Sequence, residues 1–241
     1  MSRFAFLVNR PPSPIADDEL ASVRRMSGAT IIPIEMASDL PNLDSYDGVF
    51  ISGSPFNFLS ASKSPLQERI EDNIAVISDF LVANDIPTLG ICFGMQWLGR
   101  VRGARTTARY PENISAPHVA LTDAGRADQL FGQLPPTFRV YTGHSEALEL
   151  SVPGTTFADA ATILATGKNC PVQALRFGSN VYGVQFHPEI DEASLELRIS
   201  VYGGTYYEAG EAARIHRNTY GVDVSAGARI IECFAQTYGR A

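Results

Sequence analysis

A chain of 241 residues with 45% hydrophobic and 19% charged residues has the composition of a folded globular protein, not of a disordered one. Its net charge of -7, with no dense Lys/Arg cluster, argues against nucleic acid or an anionic membrane as the main partner. Three sparse cysteines (Cys92, Cys170, Cys233) without a CxxC spacing argue against a disulfide framework or a zinc ribbon and suggest a reducing, cytoplasmic setting.

The apolar run in MSRFAFLVNR is too short for a signal peptide, and no later run approaches the ~20 apolar residues that a spanning helix needs. FAFLV (4–8), TIIPI (30–34) and GVFIS (48–52) are short continuous apolar runs, the pattern of parallel strands buried on both faces. Between the first two, DDELASVRRMSG opens with acids and closes on Arg24, Arg25 and Gly28, which suits a helix and its dipole. SPLQERIEDNIAVISDFLVAND is the clearest helix. Ser64 can cap it, Pro65 fits its first turn, and Leu66, Ile70, Ile74, Ile77 and Leu81 form one apolar face. IPTLGI (86–91) then reads as a strand and MQWLGRV as a helix.

The middle of the chain changes character. ARTTARY, HVALT, FRVYTG and ATILATG read as short strands, and VQALRF and VYGVQF flank a hairpin turn at GSN. EASLELRISVY and SAGARIIECFAQTY return to helix. Strand–helix alternation at the start and short strands later predict an α/β fold: a doubly wound, mostly parallel mixed sheet with flanking helices. No repeat or linker divides the chain, so a single domain over 1–241 is expected, with a helical extension over about 191–241.

Two segments carry chemistry. GICFG places Cys92 between Gly90 and Gly94 at a strand-to-helix junction, a sulfur version of the nucleophile elbow. The sharp turn has no room for side chains at the flanking positions. The following helix N-terminus favours a thiolate, and the Phe93 N–H can serve as an oxyanion donor. Taken alone, a buried packing cysteine explains the segment equally well. In GVQFHPEI, His187 lies at a strand end before Pro188, and Glu189 projects to the same side and can hold one imidazole tautomer. In a doubly wound sheet both segments fall at the carboxyl ends of strands, where sites form. Cys170, Cys233 and Trp97 read as packing, and His118 and His216 as surface or satisfied core residues. The Asn113-Ile114-Ser115 sequon has no role in a cytoplasmic chain.

With these residues in view, the sequence resembles the class I (triad-type) glutamine amidotransferases, nearest to the stand-alone, GMP-synthase-like members. GICFGMQ and QFHPE match the two catalytic blocks; ISGSPFNF (51–58) and YTGHSEAL (141–148) match the early and late loops, in the family's order. The resemblance implies a flavodoxin-like fold. It also implies that Cys92 is the nucleophile, His187 the proton shuttle and Glu189 its orienter. Gly53, Ser54 and Phe93 would form the oxyanion hole, and Gln96, His144 and Ser145 would hold the substrate's amino-acid end. Ser54 stands where the family has a second glycine, and GHSE differs from the SHGD of GMP synthases.

The expected activity is hydrolysis of the glutamine side-chain amide, with no metal and no other cofactor. A separate synthetase chain would accept the ammonia. Hydrolysis of other γ-glutamyl amides or peptides is the alternative, and a non-catalytic regulatory module on the same fold is a second.

Overall fold

The computed structural model describes residues 2–149, 161–202 and 211–240. Strands β1 (Arg3–Val8), β2 (Thr30–Glu35), β3 (Gly48–Ile51) and β4 (Thr88–Ile91) are joined through helices α1 (Pro14–Ser27) and α2 (Pro65–Ala83). Helix α3 (Phe93–Arg100) follows β4 directly. Short strands come next: β5 (Arg105–Thr107), β6 (Glu112–Ser115), β7 (His118–Leu121), β8 (Thr137–Arg139), β9 (Thr142–His144) and β10 (Ala147–Glu149). One short helix, α4 (Asp123–Ala127), lies among them. Strands β11 (Ala161–Gly167), β12 (Ala174–Phe177) and β13 (Val181–Val184) lead into α5 (Glu192–Tyr202), α6 (Glu211–Thr219) and α7 (Ser225–Tyr238).

The main sheet runs β2-β1-β3-β4-β13-β12-β11-β7-β8. Its first five strands are parallel, in the flavodoxin-like order, and the remainder are antiparallel. The parallel half explains the continuous apolar runs, because both faces are covered. Phe4, Phe6 and Val8 turn toward Val23 of α1 and Ile230, Ile231 and Phe234 of α7. Ala5 and Leu7 alternate to the other face, against Ile70, Ile74, Ile77 and Leu81 of α2 and Met95 and Leu98 of α3.

The helix signals act through named atoms. The Ser13 and Ser64 side chains accept from the Ala16 and Gln67 amides (3.2 and 3.1 Å), each ahead of a proline in the first turn. Gly28 closes α1 in the left-handed region at φ 63°.

Several expectations are corrected. Leu66, expected on the buried stripe of α2, is 38% exposed, because it sits in the first turn before the helix settles on the sheet. FRVYTG is not one strand. It breaks at Val140 and Tyr141 into β8 on the main sheet and β9, which pairs with β6, because the Tyr141 carbonyl turns to accept the His187 amide (2.9 Å). Strands β6 and β10 carried no legible period, being short and partly polar, and helix α6 was not legible because Ile215 is its one large apolar residue. Residues 203–210 and 241 of the C-terminal extension lie outside the described residues.

Candidate active site

Four strand ends converge at the carboxyl edge of the parallel half. Asn9 and Arg10 follow β1, Gly53 and Ser54 follow β3, Cys92 follows β4, and His187 lies three residues beyond β13. Cys92 adopts φ 50°, ψ −100°, a conformation that L side chains rarely take, and is held there from both sides. Its N–H donates to the Val184 carbonyl (2.7 Å), and its carbonyl accepts the first α3 bond from the Gln96 amide (3.0 Å). The glycines have separate reasons. A Cβ on Gly90 would come within 2.8 Å of Gly94 and Leu98, and one on Gly94 would lie 2.7 Å from the Ile51 carbonyl of β3. Gly94 therefore lets α3 press on the neighbouring strand.

His187 Nδ1 lies 2.8 Å from Glu189 Oε1, and the imidazole is close enough to Cys92 to respond to its charge. Gly53 packs against the ring, so a Cβ there would sit 3.2 Å from His187 Cε1. Burial pushes the His187 pKa down, but the negative charges of Glu189 and Cys92 outweigh it and raise the value to about 10. Burial likewise works to raise the Glu189 pKa, and the charges of His187 and then Arg198 hold it below the ordinary carboxylate range. The pair therefore favours an imidazolium beside a carboxylate.

Ser54 takes no left-handed angle, so the missing glycine demands no strain. Its hydroxyl donates to the Asn9 carbonyl (2.6 Å) and accepts from the Phe56 amide (3.2 Å), which fixes the loop. The Phe93 ring stacks on Phe58 at 4.8 Å and packs against Trp97, so the side chain belongs to the core and its backbone to the elbow.

A cavity of about 450 Å³ opens beside Cys92 and His187; Ser54, Gln96, His144 and Ser145 all line it. Gln96 Nε2 is engaged within the protein, donating to the Glu146 carbonyl (2.7 Å) and to Gln185 Oε1 (3.2 Å). His144 Nε2 faces Glu112 Oε2 at 3.1 Å. Glu112 also accepts from Gln173 (2.7 Å), and the Cys170 thiol donates to the Val172 carbonyl (3.4 Å), while His144 Nδ1 and Gln173 Oε1 are buried without a hydrogen-bond partner. Burial, reinforced by Glu112, pushes the Cys170 thiol up to about 12, in keeping with packing. The Ser145 hydroxyl donates to Asn57 at the cavity rim (2.8 Å).

Sequence reasoning missed four residues here. Gln185, fully buried, donates from Nε2 to Cys92 Sγ (3.4 Å). Arg10, Glu19 and Arg198 form a buried ionic group behind His187 and Glu189. One signal was available: Glu19 shares the buried face of α1 with Ile15, Ser22 and Val23, and an acid on such a face calls for a buried cation.

Fold and site together define an α/β protein with a cysteine on a sharp strand-to-helix turn and a His–Glu pair beside it. A family model described as "Glutamine amidotransferase class-I" matches residues 20–198. YfeJ, a glutamine amidotransferase-like protein of Salmonella typhimurium, is 30% identical over 163 residues, 65% of this chain and 62% of YfeJ. A glutamine-hydrolysing GMP synthase subunit from Sulfolobus acidocaldarius is 26% identical over 175 residues, covering 71% of this chain and 82% of that protein. In the full-length GMP synthase of Borreliella burgdorferi the match spans only 24% of the relative. A solved glutamine amidotransferase from Thermotoga maritima superposes with a TM-score of 0.72 at 17% identity, over 98% of this chain and 97% of the other, and so shares the fold. The chain belongs to the class I glutamine amidotransferase family. Among the described residues no helix is long and apolar enough to cross a membrane.

Proposed function

We propose that this protein is a glutaminase-type amidotransferase that hydrolyses the side-chain amide of glutamine to glutamate and ammonia. The observation that carries this reading is the juxtaposition of Cys92, on its strained turn, with His187, whose Nδ1 is held by Glu189 at 2.8 Å. The Cys92 thiolate adds to the amide carbon and forms the C–S bond, while the carbonyl π electrons move to oxygen. The N–H groups of the Gly53–Ser54 loop and of Phe93 receive that oxyanion. His187 gives its proton to the amide nitrogen as the C–N bond breaks, releasing ammonia and leaving a γ-glutamyl thioester. His187 then takes a proton from water as the water attacks the thioester carbonyl, and collapse of this second adduct expels the Cys92 thiolate and glutamate.

Gln96, His144 and Ser145 are assigned to the cavity wall that receives the amino-acid end of the substrate. With Gln96 Nε2 and His144 Nε2 engaged within the protein, these two side chains set the shape of that wall. The similarity to a GMP synthase component from Sulfolobus supports a separate synthetase chain as ammonia acceptor.

The cavity also reaches Leu195 of α5 and Ile215 of α6, beyond the space that an ammonia leaving group needs, which favours γ-glutamyl amides as the second substrate class. The test is glutamate release from glutamine and from a panel of γ-glutamyl amides and peptides. A thiol-alkylating glutamine analogue is expected to label Cys92 once, and Cys92→Ala to abolish labelling and turnover. Labelling of Cys170 or Cys233 in place of Cys92 would refute the assignment.

A further inference from the structure

The site does not end at Glu189. Behind it, α5 presents Arg198, whose side chain is only 7% exposed. Its Nη1 donates to Asp18 Oδ2 of α1 at 2.8 Å and to the Ser194 carbonyl at 3.1 Å. Its Nη2 lies 3.6 Å from Glu189 Oε1, the same oxygen that faces His187 Nδ1, and 3.9 Å from Glu19 Oε1. Glu19 is in turn held by Arg10 at 3.0 Å. Among the described residues, His187 and Arg198 are the cations in ion-pair contact with Glu189.

This geometry separates two roles. Arg198 borders the cavity, but its Nη2 is shielded from solvent and lacks a hydrogen-bond partner, so a substrate anion cannot reach that atom. What Nη2 does meet is the triad carboxylate. Glu189 is 1% exposed, with its second oxygen unpartnered. A carboxylate so buried takes up a proton or turns away unless a fixed positive charge holds it.

We propose that Arg198 is a positioning residue of this site: tied to α1 through Asp18, it keeps Glu189 ionised and turned toward His187. The groups facing the pair from surrounding elements are Cys92 of the elbow, Arg10 after β1, Asp18 and Glu19 of α1, and Arg198 of α5. Burial opposes the charged form of Glu189, and Arg198 works with His187 against it. Helix α5 then belongs to the machinery and is more than a cover. The proposal rests on the reading of Cys92, His187 and Glu189 as a triad.

The test is the NMR titration of His187, labelled at its ring carbon, in the full chain, because it needs no turnover. In Arg198→Met, and in Arg198→Gln, which retains a hydrogen bond for Asp18, Glu189 loses its support. The His187 midpoint is expected to fall by more than about one pH unit, and Arg198→Lys to recover part of the fall. Simple removal of a nearby positive charge would push the midpoint the other way, so a midpoint unchanged or raised in whichever neutral variant folds overturns the proposal. In parallel, kcat for glutamine should drop about 10- to 100-fold with KM within about twofold, as for loss of other orienting contacts. A raised KM at unchanged kcat would instead make Arg198 a substrate contact and overturn the proposal. A chain that shows the titration shift yet releases no glutamate retains this role for Arg198 while sinking the glutaminase reading.

Discussion

Cys92 reacts, on our reading, because its neighbours leave it little else to do. Its backbone is pinned at φ 50°, its sulfur accepts from Gln185 at 3.4 Å, and its partner imidazole is charged. Gln185→Met keeps the volume but removes the donor. A hydrogen bond to a charged group is worth about 1.5–3 kcal/mol, so the rate of Cys92 alkylation by iodoacetamide at neutral pH should fall about tenfold or more. Its thermal midpoint should change less than that of a cavity-forming variant. The pH behaviour follows from Glu189. A His187 pKa of about 10 keeps the ring protonated through neutrality, so proton donation to the leaving amine weakens only as pH rises toward 10. In Glu189→Gln the strongest raising influence is gone, burial still lowers, and the alkaline limb of kcat/KM should move to lower pH. An unmoved limb would show that another group titrates there.

At the scale of elements, the elbow works because α3 can lie against β3. Gly94→Ala would place a methyl carbon 2.7 Å from the Ile51 carbonyl oxygen and 2.8 Å from Ile51 Cβ and Cγ2, atoms fixed to the β3 backbone that have little room to give way. Overpacking of this kind costs about 1–3 kcal/mol, visible as a lowered urea midpoint, and the shift of α3 should also depress Cys92 alkylation. The exposed Arg25–Asp191 pair (2.7 Å), linking α1 to the start of α5, is a contrast. Arg25→Ala should cost less than about 1 kcal/mol in the same measurement, because water screens both groups. The helices and the parallel strands were legible as elements because each carries a strong local signal: a serine cap with a proline, an apolar stripe, or an unbroken apolar run. Strands β6 and β10 were not, since three or four residues with mixed polarity carry no period and owe their form to the strands that they meet.

At the scale of the molecule, the last helix completes the first strands. Phe234 of α7 closes a ring cluster with Phe4 of β1 and Phe50 of β3, at centroid distances of 5.8 and 5.0 Å. Removing residues 225–241 would bare that face of the sheet. The truncated chain is expected to lose its cooperative thermal transition and to bind a hydrophobic dye; a cooperative transition near that of the full chain would contradict this.

The sequence by itself determined the α/β alternation, the family, and the two blocks that hold Cys92, His187 and Glu189. Those features are written in residues close together in the chain, where caps, periods and glycines act. Only the tertiary structure decided that Gln185 meets the sulfur, that Ser54 needs no glycine angle, and that Gln96 and His144 spend donors inside the protein. It also decided that Arg198, Asp18, Glu19 and Arg10 gather behind the histidine. Such charges are drawn together from distant positions by the need to neutralise one another away from water, and that pairing has no local pattern to read.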